Sequence, residues 1–538
     1  MTRRCFTFLV VFLVGALVCA SATPKSNPNQ TIDRIIANER ALADTMRSYS
    51  PMVETYLQRM QPDTALGFVP SEDRYFLGRV QFQQSKEEFY LDKHLVERMA
   101  GTFSKLYSLS PVGFSSMIFV DRNGFDHKNY RFHPMHSEFL GEVKCLVFEV
   151  SPVKSQGNRF RGAIWVEDEG YNIVRFNGSY GTFHIDSWRM NLRPGVWLPA
   201  VVYSEEFDSN RPQTGSPRLK AQTRLWGYNL APAGRESEFT EITVDPDAAK
   251  DSSPTPDKSP LDIQRSWQRR AEDNVLIKLE ELGLVVPEGE VDKVLQTVVS
   301  NLELTNKLEL DPEVRCRVMP TTPIEVATIG HTILVSRGLL DALPNEAALA
   351  VILSHALAHA ALGHDLDSSF AFNDRMVVPS LKQLPLFDFK HNTAQEIDAD
   401  TLAQKLLANS PYKDNLAEGG LFLKALAKYG RRVPNLVRAT LGESLVEQNR
   451  ITFMLQVAEA APRLELENPQ QIVALPLGSR VKLDPWAGQL KFVKASPPRI
   501  YSAKDKLALE VTPFSPYLTR LNTAKSDEVA PLDTSRNR

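Results

Sequence analysis

Residues 354–364, Ser-His-Ala-Leu-Ala-His-Ala-Ala-Leu-Gly-His, decide how the second half of this 538-residue chain is interpreted. His355 and His359 are four residues apart, so in a helix both imidazoles project from one face and can bind a metal ion together. In the metal-binding pattern H-E-x-x-H, the residue after the first histidine is a glutamate that acts as general base. Here that residue is Ala356. The stretch therefore predicts a metal site that lacks its base.

A second segment, residues 393–400, supplies the carboxylates that such a site needs. Glu396 would complete a zinc site of two histidines and one carboxylate, with an open fourth position. Asp400, one helical turn further, could orient a ligand histidine through its other ring nitrogen. The alternative is purely structural: the histidines are buried core residues, and Glu396 closes a capping box with Thr393.

Three segments together resemble a known family. Residues 331–340 (HTILVSRGLL), 345–364 and 396–400 are similar in order, spacing and flanks to the metallopeptidase family of the heat-shock protease HtpX and the CaaX prenyl proteases. The resemblance covers about residues 285–460. It implies a mainly helical zincin-like domain that binds zinc through His355, His359 and Glu396, with Asp400 supporting a ligand.

Two positions depart from that family, and both concern catalysis. Ala356 replaces the general base, which typically contributes about 10²–10⁴-fold to the rate. The family also carries a downstream histidine that stabilises the oxyanion, whereas this chain has no histidine after His391. Rescue would need another carboxylate in the loop after the helix, for instance Asp365, Asp367 or Asp374. We therefore expect impaired or absent proteolysis, and enzymatic activity stays open.

The first residues predict export. Residues 1–22 combine two arginines, a short apolar run and an Ala-Ser-Ala step, as a secretory signal does, so we expect cleavage near Ala22. The mature chain would then be secreted or periplasmic, and whether Cys19 is lipidated stays open. No later run is long and apolar enough to span a bilayer. Outside the signal only Cys145 and Cys316 remain, which does not indicate a disulfide framework.

The remaining pattern predicts an α+β chain of several parts. Short segments rich in β-branched and aromatic residues, such as 162–167 and 171–175, indicate an antiparallel β-rich domain that weakly resembles periplasmic lipoprotein carriers. The acidic run that follows is rich in proline and serine and predicts a linker. The expected parts are a signal peptide (1–22), the β-rich domain (31–244), the linker (245–262), the HtpX-like domain (263–462), a strand-rich extension (463–523) and a disordered tail (524–538).

Three functional hypotheses follow from these features. The leading one is a zinc-binding pseudoenzyme of the metallopeptidase family that binds peptides or unfolded envelope proteins. The first alternative is an active zinc metalloendopeptidase with a substitute base. The second is a lipid- or lipoprotein-handling module. A net charge of −3 gives no indication of nucleic-acid binding, and the substrate and the oligomeric state are not specified by the sequence.

Overall fold

The computed structural model describes most of the chain, with gaps. The described residues are 28–64, 67–82, 86–89, 116–122, 124–154, 159–207, 217–228, 260–364, 389–447, 450–465, 468, 471, 481–483, 490–492, 509–511 and 518–520. In these ranges, no helix has both the length and the apolar character needed to cross a membrane. The expected signal peptide, most of the linker, the tail after residue 523 and the three candidate substitute bases lie outside the described residues.

A ten-stranded antiparallel sheet is the largest element of the structure. Its strand order is β3-β2-β1-β10-β9-β8-β7-β6-β5-β4, so consecutive strands pair as a meander except where β1 joins β10. The strands are β1 Met52–Asp63, β2 Gly67–Gln81, β3 Lys86–Phe89, β4 Tyr130–Leu140, β5 Val143–Pro152, β6 Phe160–Glu167, β7 Ile173–Tyr180, β8 Phe183–Arg193, β9 Val196–Glu206 and β10 Leu219–Trp226.

One face of this sheet is covered by helix α1 (Pro28–Met46). Successive side chains of a strand point to opposite faces, and buried residues of β5 to β8 on this face form one cluster with the helix. Ile35 of α1 is fully buried in one cluster with Phe160 and Phe176. An ion pair between Arg189 of β8 and Glu39 of α1 also holds the helix on the sheet, and both side chains are only 2% exposed.

The opposite face, around β1, β2, β9 and β10, packs against the C-terminal half of the chain (residues 260–465). We call this surface the junction face. Tyr56, Tyr203 and Trp226 of the sheet belong to the same buried cluster as Val298 and other residues of the C-terminal half. The Trp226 indole also donates a hydrogen bond to the carbonyl oxygen of Gly283 (2.9 Å). The two halves therefore share a core.

The C-terminal half surrounds a smaller mixed sheet of order β11-β13-β12-β14. Strands β11 and β13 are parallel, and β12 pairs antiparallel with β13 and β14. The strands are β11 Arg315–Met319, β12 Glu325–Ile329, β13 Thr332–Ser336 and β14 Glu443–Ser444, followed by the short β15 Val446–Glu447, β16 Arg450–Ile451, β17 Val481–Leu483 and β18 Leu490–Phe492. The helices are α2 Pro260–Glu281, α3 Glu290–Asn306, α4 Arg337–Ala342, α5 Glu346–Ala361, α6 Thr393–Ala408, α7 Leu416–Gly430, α8 Pro434–Val437 and α9 Leu455–Ala460.

The predicted fold class, an α+β chain with a mainly helical zincin-like domain, is wrong. The dominant element is the ten-stranded antiparallel sheet. Among the described residues, the C-terminal helices enclose a four-stranded sheet and share a core with the large sheet. The prediction failed because a short histidine motif reports on one helix and not on the strands that surround it. The boundaries proposed for the separate domains stay predictions.

From the helical spacing of its apolar residues, the stretch of residues 31–60 also predicts one helix, and this prediction is only partly correct. Helix α1 ends at Met46, and Met52 begins strand β1. Strand β1 pairs with β10 on one side and with β2 on the other, so backbone pairing on two sides decides its conformation. The spacing of Met52, Tyr56 and Leu57 fits a helix, but tertiary pairing overrides such a local pattern.

Candidate metal centre

Helix α5 carries the two histidines at the centre of the site. Asn345 caps the helix, because its side chain accepts a hydrogen bond from the amide of Ala348 (3.0 Å). Fourteen consecutive residues of α5, 347–360, are buried, so the helix runs through the core and not along a surface. His355 and His359 lie one turn apart and are at most 1% exposed. Their Nε2 atoms are 2.9 Å apart and point into the same small space.

Helix α6 brings Glu396 to these imidazoles. Asn392 begins the helix by accepting hydrogen bonds from the amides of Ala394 and Gln395, which places Glu396 in the first turn. Its Oε2 atom is 3.4 Å from the Nε2 atom of His355, and its Oε1 atom is 3.6 Å from the Nε2 atom of His359. The three residues that the sequence singled out as ligands therefore meet at one point.

Glu443 is a fourth donor that the sequence did not reveal. It is the first residue of β14, 47 positions after Glu396, and no motif spacing connects it to the helices. Its Oε2 atom lies 3.7 Å from the Nε2 atom of His355. One donor atom from each of the two histidines and two glutamates falls within 4.8 Å of every other. Tetrahedral bonds of zinc-to-nitrogen length would separate neighbouring donors by roughly 3.3 Å.

Asp400 supports the site from behind. Its Oδ1 atom lies 2.7 Å from the Nδ1 atom of His355 and also accepts a hydrogen bond from the amide of Met454 (3.0 Å). If the Nδ1–H of His355 donates to this carboxylate, the Nε2 lone pair faces the other donors. This arrangement is the one by which carboxylates commonly orient a metal-ligating histidine.

Aromatic and imidazole rings enclose the four donors. The His391 ring stacks on His359 with centroids 3.7 Å apart, and its Nδ1 atom bonds with Glu443. Phe453 packs against the ring of His355 at 4.0 Å, and the Nδ1 atom of His364 is 2.8 Å from that of His359. No motif in the sequence assigns a role to His391, and its only signal is its position two residues before α6.

The charges of the site depend on one another. Burial lowers the pKa of His355, but hydrogen bonds to the three surrounding carboxylates outweigh burial and raise this pKa to about 10. Burial and the neighbouring charge of His355 lower the pKa of His359 to about 2. Burial raises the pKa of Glu396. For Glu443, burial acts to raise the pKa, but hydrogen bonds with His355 and His391 outweigh it and hold the pKa below its ordinary range. The raised pKa of His355 and the lowered pKa of Glu443 show that a positive charge is favoured at the point where the carboxylates meet.

Ala356 lies next to His355 on the helix and is 1% exposed. Its methyl group is packed in the core, in one cluster with the neighbouring helices. Alanine has no group that takes up or delivers a proton, so this position makes no chemical contribution to the site. The four donors and Asp400 can hold a cation, and nothing in their geometry identifies a base for hydrolysis.

Comparisons with known proteins find structural similarity to a part of the chain only. No family model matches the chain, and no curated protein matches it either. Solved structures match a part of it. One is a DUF1329 family protein from Desulfovibrio piger, at 10% identity and a TM-score of 0.19, covering 37% of this chain and 90% of the other. A putative outer membrane lipoprotein-sorting protein domain from Vibrio parahaemolyticus matches at 10% identity and a TM-score of 0.20, covering 37% and 91%. A LolA superfamily protein from Nitrosomonas europaea matches at 9% identity and a TM-score of 0.20, with the same coverage.

These findings correct the family expected from the sequence. The structural neighbours are not HtpX-like peptidases, and no family model supports that membership, so the assignment and the description as metallopeptidase and hydrolase are wrong. Short motifs around two helices matched a peptidase pattern, and such motifs carry no information about the rest of the chain.

Proposed function

We propose that this protein binds one divalent metal ion, zinc by preference, through His355, His359, Glu396 and Glu443. The observation that carries the proposal is the convergence of four donor atoms, from three separate elements, within 4.8 Å of one another. A second observation supports it: Glu396 Oε1 is buried, and no hydrogen bond to it is found among the described residues. A buried acceptor without a partner is costly, and a cation at this point would satisfy it.

The number of donors favours a structural role for the ion. Catalytic zinc sites usually have three protein ligands and leave one position for water, whereas structural sites have four. Glu443 fills the fourth position here, and Ala356 supplies no base. The ion would join α5, α6 and β14, three elements far apart in the chain. Histidine nitrogen and glutamate oxygen are both ligands that zinc takes in proteins.

Thermal unfolding of metal-free protein tests this proposal. Zinc at about 100 times its Kd should stabilise the folded chain by about 2.7 kcal/mol, because the ion binds the folded state alone. Glu443→Ala should lose most of this gain. Glu447→Ala is the matched control, because Glu447 is an exposed carboxylate on the neighbouring strand β15. No stabilisation of the natural chain, or equal stabilisation of the Glu443→Ala variant, would contradict the assignment of these ligands.

A second candidate function is the handling of a lipid or lipoprotein by the large sheet. The observation that favours it lies on edge strand β4, where Met135 and Phe139 are 54% and 68% exposed. Large exposed apolar side chains on one strand are typical of interaction surfaces. Two of the neighbours are described as lipoprotein-sorting and LolA superfamily proteins, and for this chain such a role in the cell envelope is our proposal.

Displacement of a fluorescent fatty acid tests the second candidate. The natural chain should bind the probe, and the double variant Met135→Asp/Phe139→Asp should bind it at least tenfold more weakly. Val294→Asp is a control, because Val294 is an exposed apolar residue on α3, away from the sheet edge. Equal binding by all three proteins would count against a role for β4. Binding of peptides or unfolded envelope proteins stays a prediction of the sequence.

A further inference from the structure

A buried carboxylate of the large sheet holds a loop of the C-terminal half. Glu54 of β1 pairs with Arg224 of β10, and both side chains are less than 10% exposed. Glu54 accepts hydrogen bonds from the amide and the hydroxyl of Thr322 (2.6 and 2.8 Å) and from Tyr75 (2.9 Å). Arg224 donates to the carbonyl oxygen of Pro320 (2.7 Å). The loop of residues 320–324, which leads into β12, is thus bonded to the junction face at several points.

A second carboxylate of the sheet holds the segment before β14. Asp73 of β2 accepts hydrogen bonds from the amides of Asn435 and Leu436 (3.1 and 2.8 Å), at the start of helix α8. The carbonyl oxygen of Leu436 in turn accepts from the amide of Ile324 (2.7 Å), at the end of the same loop. The large sheet therefore holds the two chain segments that lead into the small sheet, one before β12 and one before β14.

Glu325, the first residue of β12, connects this framework to the metal centre. Its Oε2 atom accepts hydrogen bonds from the amides of Thr440, Leu441 and Gly442 (2.7, 2.8 and 3.2 Å). Glu443 is the next residue. A Cβ on Gly442 would lie 2.1 Å from the facing backbone carbonyl oxygen, so the strand has no room to move closer. The backbone position of the fourth donor is therefore set by Glu325 and by the strand pairing beside it.

We infer that the large sheet controls the affinity of the metal centre, with Glu54 and Glu325 acting as positioning residues for Glu443. The inference rests on the proposed metal-binding function. Glu325 acts directly on the turn before Glu443, and Glu54 acts through the loop that enters β12. Anything that shifts the junction face then changes the metal affinity, and metal binding in turn stabilises the junction.

The two positions should differ in the size of their effect. Glu325→Ala removes the oxygen that accepts the three backbone amides before Glu443, and we expect about 10–100-fold weaker metal binding, as for groups that orient ligands directly. Glu54→Gln acts from further away and should weaken binding about 2–30-fold. Thr322→Val keeps the shape of the loop and removes the hydroxyl that donates to Glu54 and accepts from Arg224, so it provides a second variant if Glu54→Gln fails to fold.

A matched control comes from the other half of the same sheet. Asp186 of β8 forms a two-point ion pair with Arg175 (2.8 and 2.9 Å), as Glu54 does with Arg224. Asp186→Asn removes a comparable carboxylate from the sheet, but this pair is bonded within the sheet. We expect it to lower the thermal midpoint of the metal-free chain without changing the zinc affinity measured well below that midpoint.

The experiment is a competition titration of zinc against a chromophoric chelator, with metal-free thermal midpoints measured in parallel on the full chain. The inference is supported if Glu54→Gln or Thr322→Val, together with Glu325→Ala, weakens zinc binding while Asp186→Asn does not. It is overturned if these variants lower only the thermal midpoint, or if Asp186→Asn weakens zinc binding equally. If the natural chain itself binds no zinc, the proposed function fails, and that result is distinct from the failure of the coupling.

Discussion

Removal of the Asp400 carboxylate should weaken zinc binding without unfolding the protein. Asp400 lies 2.7 Å from the Nδ1 atom of His355 and accepts the amide of Met454. In Asp400→Ala, His355 loses the group that fixes its ring and its tautomer, so zinc binding should weaken about 10–100-fold, or about 1.4–2.7 kcal/mol. The amide of Met454 also loses its acceptor, which should lower the free energy of unfolding of the metal-free protein by about 1–3 kcal/mol.

Asp398 provides the control for this variant. It lies on the same helix, two residues before Asp400, and its side chain is exposed. Asp398→Ala should leave the zinc affinity unchanged, because it only alters the surface charge of α6. The assay is the chelator competition, with urea unfolding of the metal-free proteins beside it. Natural affinity in Asp400→Ala, or an equal loss in Asp398→Ala, would refute the view that Asp400 orients a ligand.

Other predictions concern the packing of the fold and are checked by urea or thermal unfolding. Glu39→Ala should lower the free energy of unfolding by about 3–5 kcal/mol, because it leaves the guanidinium of Arg189 buried without its ion-pair partner. An Arg189→Met/Glu39→Leu double variant should recover much of this loss. Gly338→Ala should cost at least about 2 kcal/mol, because its Cβ would lie 1.7 Å from the carbonyl oxygen of Thr322; an unchanged urea midpoint would contradict this close approach. Leu518→Asp should cost on the order of 3 kcal/mol, because Leu518 is 3% exposed in a cluster of tryptophans on the large sheet, whereas Leu518→Met should cost less than about 1.5 kcal/mol.

The strands with strong local signals could be predicted from the sequence. The runs at residues 145–150, 162–167 and 332–336 predict strands; the first two lie within β5 and β6, and the third forms β13. Their β-branched and aromatic side chains, bounded by glycine and polar residues, indicate strands locally. Strand β12 was not predicted, because its five residues are all buried and show no alternation. Such a short run cannot be assigned by periodicity alone.

The candidate site could be predicted only as far as sequence spacing extends. His355 and His359 are related by one helical turn, and Glu396 and Asp400 by another, so each pair was visible in the sequence. Glu443 was not, because it reaches the site through the pairing of β14 with β12, a contact between residues more than one hundred positions apart. The family assignment was wrong because it rested on short local matches, which carry no information about the large sheet. The binding of a metal ion at this site stays a prediction.

The metal content of the purified full-length chain tests the central claim most directly. Elemental analysis after gel filtration in zinc-supplemented buffer should find about one zinc per chain in the natural protein. The His355→Ala/His359→Ala double variant should retain close to none, while Glu447→Ala should match the natural chain. A metal content in the double variant indistinguishable from that of the natural chain would contradict the claim that these histidines hold the ion.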